Sequence, residues 1–248
     1  MSTTPKTQLQ GIASLPAAPI EASAALIGLP SPVGPGVGLP TRAYLIDKVD
    51  EASGEVAQVS RFRYLPGHPR QVRFDAKAGQ FNIGGTVPLG NSLRFIPLAW
   101  RIFQDDILNM GRKLWAELFF ADDKGAICAV LFHGYSVENL YRLIEPLFYD
   151  DLTLADVVVK VTTEKKQTTK EGKTATYYIA QFSYEPAPAE EVAARRDYAR
   201  DLPIWRAETH TGAADIRIQH GYTVPEDGEP EEGVSHPHTP AAELPAAA

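Results

Sequence analysis

The stretch Leu152–Tyr184, LTLADVVVKVTTEKKQTTKEGKTATYYIAQFSY, decides how the rest of the chain is read. It predicts a β-hairpin. The first arm is VVVKVTT, with Val157, Val159 and Val161 on one face and Val158, Lys160 and Thr162 on the other. The second arm is TATYYIAQFSY. Both are rich in β-branched and aromatic residues and have the length of ordinary strands. Between them lie Lys165, Lys166, Lys170, Gly172 and Lys173, diluted by Glu164 and Glu171. A polar, lysine-rich loop cannot pack into a core, so it is expected to project into water. Tyr177 and Tyr178 follow it. Cations beside aromatics at a strand end suit a single-stranded nucleic acid, with lysines meeting phosphates and rings meeting unstacked bases. The plainer reading is a solubilised hairpin whose edge is guarded by lysines.

Working back towards the N-terminus, YSVENLYRLIEPLFYDD is the strong helix candidate. Ser136 fits an N-cap, and Glu138 suits the first turn. Val137, Leu140, Tyr141, Ile144 and Phe148 fall at helical spacing, and Pro146 is expected to end or kink the helix. Before it, LWAELFFADDKGAICAVLFHG reads as a hairpin around Asp122-Asp123-Lys124-Gly125, its second arm apolar on both faces and therefore central. Leu93–Phe103 reads as one strand with Ile96, Leu98, Trp100 and Ile102 on one face, and Phe95, Ala99, Arg101 and Phe103 on the other. Pro97 implies an edge position or a bulge. QVRFD and QFNIGG, joined by AKAG, form a tight hairpin, and RAYLID and EVAQVSRFRYL are earlier strands.

The two ends differ from this middle. Residues 1–40 are dense in Pro, Ala, Gly, Ser and Thr and are expected to be a disordered arm. After Pro186 a short helix over Glu190–Arg200 is predicted, and from about Thr209 the chain reads as disordered, becoming acidic without Lys or Arg from Glu226. The expected organisation is thus an arm (1–40), a β domain (41–187), and a helix with an acidic tail (188–248).

Of the 248 residues 44% are hydrophobic and 22% charged, ordinary for a globular protein. The formal net charge of -7 argues against a general polyanion binder. The middle of the chain is roughly balanced, however, so the basic patch is local and the acidity lies towards the C-terminus. The single cysteine, Cys128, excludes an intrachain disulfide and a cysteine-rich zinc site, and reads as a small buried hydrophobe. No stretch approaches the ~20 apolar residues of a membrane span, and the N-terminus lacks the pattern of a secretory signal. A cytoplasmic protein is expected.

In order, the middle reads strands, helix, strand, strand, the last two joined by the basic loop. This resembles the five-stranded OB barrel, with one internal helix between strands three and four and an extra hairpin. With the acidic tail, the chain resembles the single-stranded DNA-binding proteins of bacteria, phages and plasmids over roughly Arg70 to Tyr184. That resemblance implies sequence-tolerant binding of single-stranded DNA in replication or recombination. It also implies protein partners through the acidic tail, or a tail that competes for the groove. Self-association is compatible with it. No cofactor and no metal is implied.

On this reading Lys165, Lys166, Lys170 and Lys173 contact phosphates, Arg101, Arg112 and Lys113 extend the groove, and Phe103, Trp115, Tyr177 and Tyr178 are candidate stacking platforms. Tyr177 and Tyr178 point to opposite faces. Core packing is the competing account of each aromatic. Two rivals remain: a non-enzymatic assembly protein of a phage or mobile element, which predicts an exposed apolar patch, and a metal-dependent nuclease. The second predicts convergence of carboxylates among Asp105, Asp106, Glu117, Asp122 and Asp123. GYSVE, residues 134–138, opens like a nucleophile elbow but has Glu138 where the motif closes on glycine. His236 and His238 lack the ligand set of a structural zinc site.

Overall fold

The computed structural model describes residues 42–225, apart from Ala52, Glu171, Gly172 and the side chain of Lys170. The predicted N-terminal arm and the segment from Glu226 lie outside the described residues.

The strands are β1 (Leu45–Val49), β2 (Val56–Ser60), β3 (Arg70–Asp75), β4 (Gln80–Ile83), β5 (Val87–Gly90), β6 (Ser92–Phe95), β7 (Pro97–Asp105), β8 (Lys113–Ala121) and β9 (Ile127–His133), followed by β10 (Val157–Lys170), β11 (Lys173–Pro186) and β12 (Asp215–His220). Helix α1 (Tyr135–Tyr149) stands between β9 and β10, and α2 (Ala189–Asp201) follows β11. The protein is mainly β. Among the described residues the strands form three sheets: a seven-stranded sheet ordered β12-β7-β8-β9-β3-β4-β5, a three-stranded sheet β11-β10-β6, and the β1–β2 pair. The five-stranded barrel expected from the element order is not seen, because none of these sheets closes on itself. The large sheet is antiparallel except where β3 runs parallel to β9.

Pro97 explains much of this. The predicted strand Leu93–Phe103 is divided at Ile96: β6 pairs with β10 in the small sheet, and β7 pairs with β8 in the large one. Proline donates no ladder hydrogen bond, and it constrains the residue before it. The chain therefore changes sheet here, with a register shift between Pro97 and Ala99.

Alternation along β7, β8 and β9 then fills two cores. Trp100, Ile102, Ala116, Leu118, Val130 and Phe132 face α1 and the three-stranded sheet, where Leu140, Leu143, Val159 and Val161 meet them. Ala99, Phe119 and Ala129 face the opposite way, towards Phe62, Ala194, Tyr198 and Tyr222. Both faces of the sheet are covered, which is why these strands read as apolar runs without clean alternation.

The chain beyond Asp201 belongs to the fold, contrary to the expectation of disorder from Thr209. Ile204 and Tyr222 are core residues, Thr209 is fully buried, and β12 adds to the edge of the large sheet beside β7. A buried ion-pair cluster fastens this segment down. The Arg101 Nε and guanidinium donate to Glu117 Oε2 at 3.0 and 2.8 Å, and the same guanidinium donates to the Thr209 carbonyl at 2.8 Å. The Thr209 hydroxyl donates to Glu117 Oε1 at 2.8 Å, and Arg206 approaches Glu117 at 3.6 Å. The Arg101 guanidinium is held between the rings of Phe103 and Tyr222, 4.0 and 4.2 Å from their centroids. Among the described residues no helix is long and apolar enough to cross a membrane.

Candidate nucleic-acid interface

The ribbon of β10 and β11 is longer than the sequence implied. Each strand has 14 residues, and Lys170 pairs with Lys173. The expected long basic loop is therefore mostly strand, some 45 Å from end to end at 3.3 Å per residue. Residues Glu164–Lys170 escaped prediction because charged and polar residues follow one another there without an apolar face to mark the period. Only Val159–Thr162 of β10 pairs with β6, and the far end projects past the sheet.

The register sorts the cations and rings. Lys165 stands opposite Tyr178, and Lys166 opposite Tyr177. Successive residues alternate faces, so Lys166, Tyr177 and Lys173 share one face, and Lys165 and Tyr178 the other. Tyr178 is held in place: its N–H donates to the Ala76 carbonyl at 2.8 Å, and its ring lies against Gly79 in the β3–β4 turn. A Cβ on Gly79 would come within 2.5 Å of that ring, and φ there is +68°.

Helix α1 closes the other side. Gly134, with φ 62°, turns the chain from β9 into the helix and is its N-cap. Ser136, expected as the cap, instead accepts the Ala180 N–H at 3.0 Å, and Asn139 donates to the Ala180 carbonyl at 2.8 Å. These two side chains satisfy the outer edge of β11 where it would otherwise be bare. The stripe that adjoins Asn139, with Tyr135, Glu138 and Arg142, faces the ribbon.

Three adjoining hollows result. One of about 450 Å³ lies between Tyr135, Arg142 and the ribbon residues Lys166 and Tyr177. The next, about 290 Å³, shares Tyr135 and Tyr177 and is lined by Phe74, His133 and Tyr178. The third, about 440 Å³, shares Phe74 and His133 and is bounded by Arg73, Trp115 and Arg206. Together they form a groove with rings along it and cations at its sides. Arg73 and Arg142 have no ion-pair partner among the described residues, whereas Arg61, Arg70, Arg94 and Arg196 all sit on carboxylates. Lys166 is partly neutralised by Glu164, 2.5 Å away. His133 leans edge-on against Trp115, with centroids 5.2 Å apart. Desolvation, and then the charge of Lys113, push its pKa below the usual histidine value, so the ring is neutral at pH 7.

Of the residues singled out from the sequence, Lys166, Tyr177 and Tyr178 come together in this groove. Trp115 lines it but is only 1% exposed, so it is a wall and not a platform. Its indole N–H donates to the Asp105 carbonyl at 3.0 Å. Arg101 and Phe103 are 1% and 0% exposed and cannot touch a strand; the alternation that suggested a used face reflects a second core. Arg112 is exposed and Lys113 half-buried at the start of β8, with the Lys113 Nζ 6.0 Å from the Trp115 ring. Lys165 is exposed on the far face of the ribbon, Lys173 is at its tip, and the Lys170 side chain lies outside the described residues.

Phe74, Arg73, His133, Tyr135 and Arg142 were missed. The stripe Tyr135-Glu138-Asn139-Arg142, at helical spacing opposite the apolar face, was a readable signal; the others converge only through the topology.

Three of the five carboxylates proposed for a nuclease are committed elsewhere. Glu117 belongs to the buried cluster, Asp105 accepts from the Thr211 hydroxyl, and Asp122 accepts the N–H groups of Lys124 and Ala126 in its turn. Among the described residues no group of three or more His, Cys, Asp or Glu could hold a metal ion. Cys128 is buried, and desolvation, then the nearby Asp122 charge, push its thiol up to about 12, out of the range of a nucleophile. No protein-family model, no curated protein and no solved structure matches this chain.

Proposed function

We propose that the protein binds single strands of DNA without strong sequence preference, in the groove between α1, the β10–β11 ribbon and the β3–β9 end of the large sheet. One observation carries this reading. The groove is lined by Phe74, His133, Tyr135 and Tyr177, and the arginines beside it, Arg73 and Arg142, form no ion pair among the described residues, although Glu138 and Glu208 belong to the same lining. Rings for unstacked bases beside cations for phosphates are what a single strand needs. The reading does not depend on barrel closure. An OB-like arrangement remains the finer architectural expectation, and a ribbon meeting a sheet supplies the same kind of lining. A role in replication or recombination, in the cytoplasm, goes with this function, and the acidic segment from Glu226 suits either a partner contact or a competitor for the groove.

The test is fluorescence anisotropy with labelled oligo-dT, with duplex DNA and RNA as competitors. Binding that weakens with salt and survives duplex competition supports the reading. Absence of binding at low salt, with and without residues 226–248, removes it.

A second reading, an assembly protein of a phage or mobile element, is favoured by a separate patch. Phe148 and Tyr149 at the end of α1 are 72% and 77% exposed, with Leu152 beside them. Contiguous exposed apolar groups mark protein contacts. Light scattering across a concentration series, on wild type and on Phe148→Ser/Tyr149→Ser, tests it.

A further inference from the structure

The hollow beyond His133 is walled on one side by the loop from Asp106 to Arg112 between β7 and β8, and on another by Arg206 and Glu208 from the connection between α2 and β12. Its root is fixed. Ile107 is buried with Phe103 and Trp115, and the Trp115 indole N–H holds the Asp105 carbonyl. Its tip is under constraint, because Leu108 and Asn109 both take left-handed backbone angles, φ 56° and 55°. Side chains rarely adopt that conformation, and leucine less readily than asparagine; it persists only where the surroundings impose it. The consequence is a display of two large apolar groups beside the groove, with Leu108 47% and Met110 40% exposed.

We infer that this loop is a further contact to the single strand, in which Leu108 and Met110 insert against successive bases and part them as the strand leaves the groove. The inference rests on the binding function proposed above. Two features favour a nucleic acid over a protein as the occupant. Arg73 lines the same hollow and forms no ion pair among the described residues; its guanidinium donates to the Gln71 side-chain oxygen at 3.1 Å. The acid there, Glu208, is already paired with Arg206 at 2.5 Å and accepts from Gln71 at 2.7 Å. The hollow therefore keeps a positive excess next to two aliphatic side chains, which suits a phosphate beside an unstacked base. Leucine and methionine are among the residues that proteins insert between base steps.

The experiment uses the full chain and an oligo-dT series with 2-aminopurine placed at successive positions. This base brightens when it is unstacked and dims when a ring stacks on it. Wild type is expected to brighten it at one position, against the loop, and to dim it at positions over Tyr135 or Tyr177. Leu108→Ser/Met110→Ser is expected to lose the bright position and to bind about tenfold more weakly, the equivalent of one lost base contact. Its thermal midpoint should be unchanged, because both side chains are exposed. Leu108→Phe, with a larger face to offer, should bind at least as tightly as wild type. A double-serine variant with wild-type affinity and an unchanged bright position overturns the inference while the binding function stands, as does weaker binding by the phenylalanine variant. If wild type itself does not bind, both fall.

Discussion

Lys166 and Tyr177 face each other directly across the β10–β11 ribbon. That single pairing turns a cation and a ring towards α1 together, and the neighbouring pair, Lys165 with Tyr178, falls on the other face. The hollow at α1 is thus lined from both sides, by Arg142 and Tyr135 from the helix and by Lys166 and Tyr177 from the strands.

Tyr177 and Arg142 should therefore separate into two kinds of loss. Tyr177→Ala removes a stacking surface, worth about 1–3 kcal/mol of oligo-dT binding with the salt dependence kept. On the proposed reading Arg142→Ala removes a phosphate contact and should flatten the plot of log affinity against log salt by about 0.7. Anisotropy titrations at four salt concentrations distinguish them; identical salt slopes for wild type and Arg142→Ala would exclude the phosphate contact.

The Arg101–Glu117 pair is structural. Glu117→Ala leaves Arg101 buried without its carboxylate, and loss of one partner of a buried pair costs about 3–5 kcal/mol. Urea unfolding should show this as a lower midpoint. Residual folded Arg101→Met should keep the wild-type salt slope for oligo-dT, because Arg101 is buried away from the groove.

Gly79 sets how closely the ribbon approaches the β3–β4 turn. Gly79→Ala has to adopt a positive φ and push the Tyr178 ring aside, a change expected to cost at least about 1 kcal/mol. Gly84→Ala has a positive φ but nothing within 4 Å of its new Cβ, so it isolates the backbone share. Equal unfolding midpoints for the two variants would show that the ring contact carries no energy.

Stability should fall on acidification in two stages. His133, His210 and His220 all have pKa values lowered chiefly by desolvation. Below about pH 6.5 the unfolded chain takes up protons that the folded chain refuses, so this share is complete above that pH and is lost as pH falls towards the folded values. Asp75 behaves in the usual carboxylate sense. The N–H groups of Ala78 and Lys77 hold its pKa down, and its contribution, present above about pH 4, is lost as pH falls through its folded value. A urea midpoint that stays level from pH 7.5 to 5.5 would contradict the first stage.

What the sequence made legible follows the strength of each physical signal. The hairpins around AKAG and DDKG, helix α1 and the arms of the ribbon were readable, because turn residues and apolar spacing marked them. DIRIQH, the edge strand β12, was missed: it is short, carries a register shift between Ile216 and Ile218, and shows only part of its side chains to the core. The Arg101–Glu117 pairing was invisible, because charged residues in apolar strands look the same whether they face water or each other. The groove was half legible. Lysines and tyrosines adjacent in sequence announced the ribbon, but Arg73, His133 and Arg142 reach it from three separate elements, and only the sheet order brings them there.

Photo-cross-linking of the full chain to oligo-dT carrying 4-thiothymidine, with the cross-linked peptides read by mass spectrometry, tests the groove most directly. The account predicts adducts at Tyr135, Tyr177 and His133 that disappear when salt is raised. Adducts confined to the α2 face, around Arg196 and Arg200, or to the Phe148–Tyr149 patch, would contradict it.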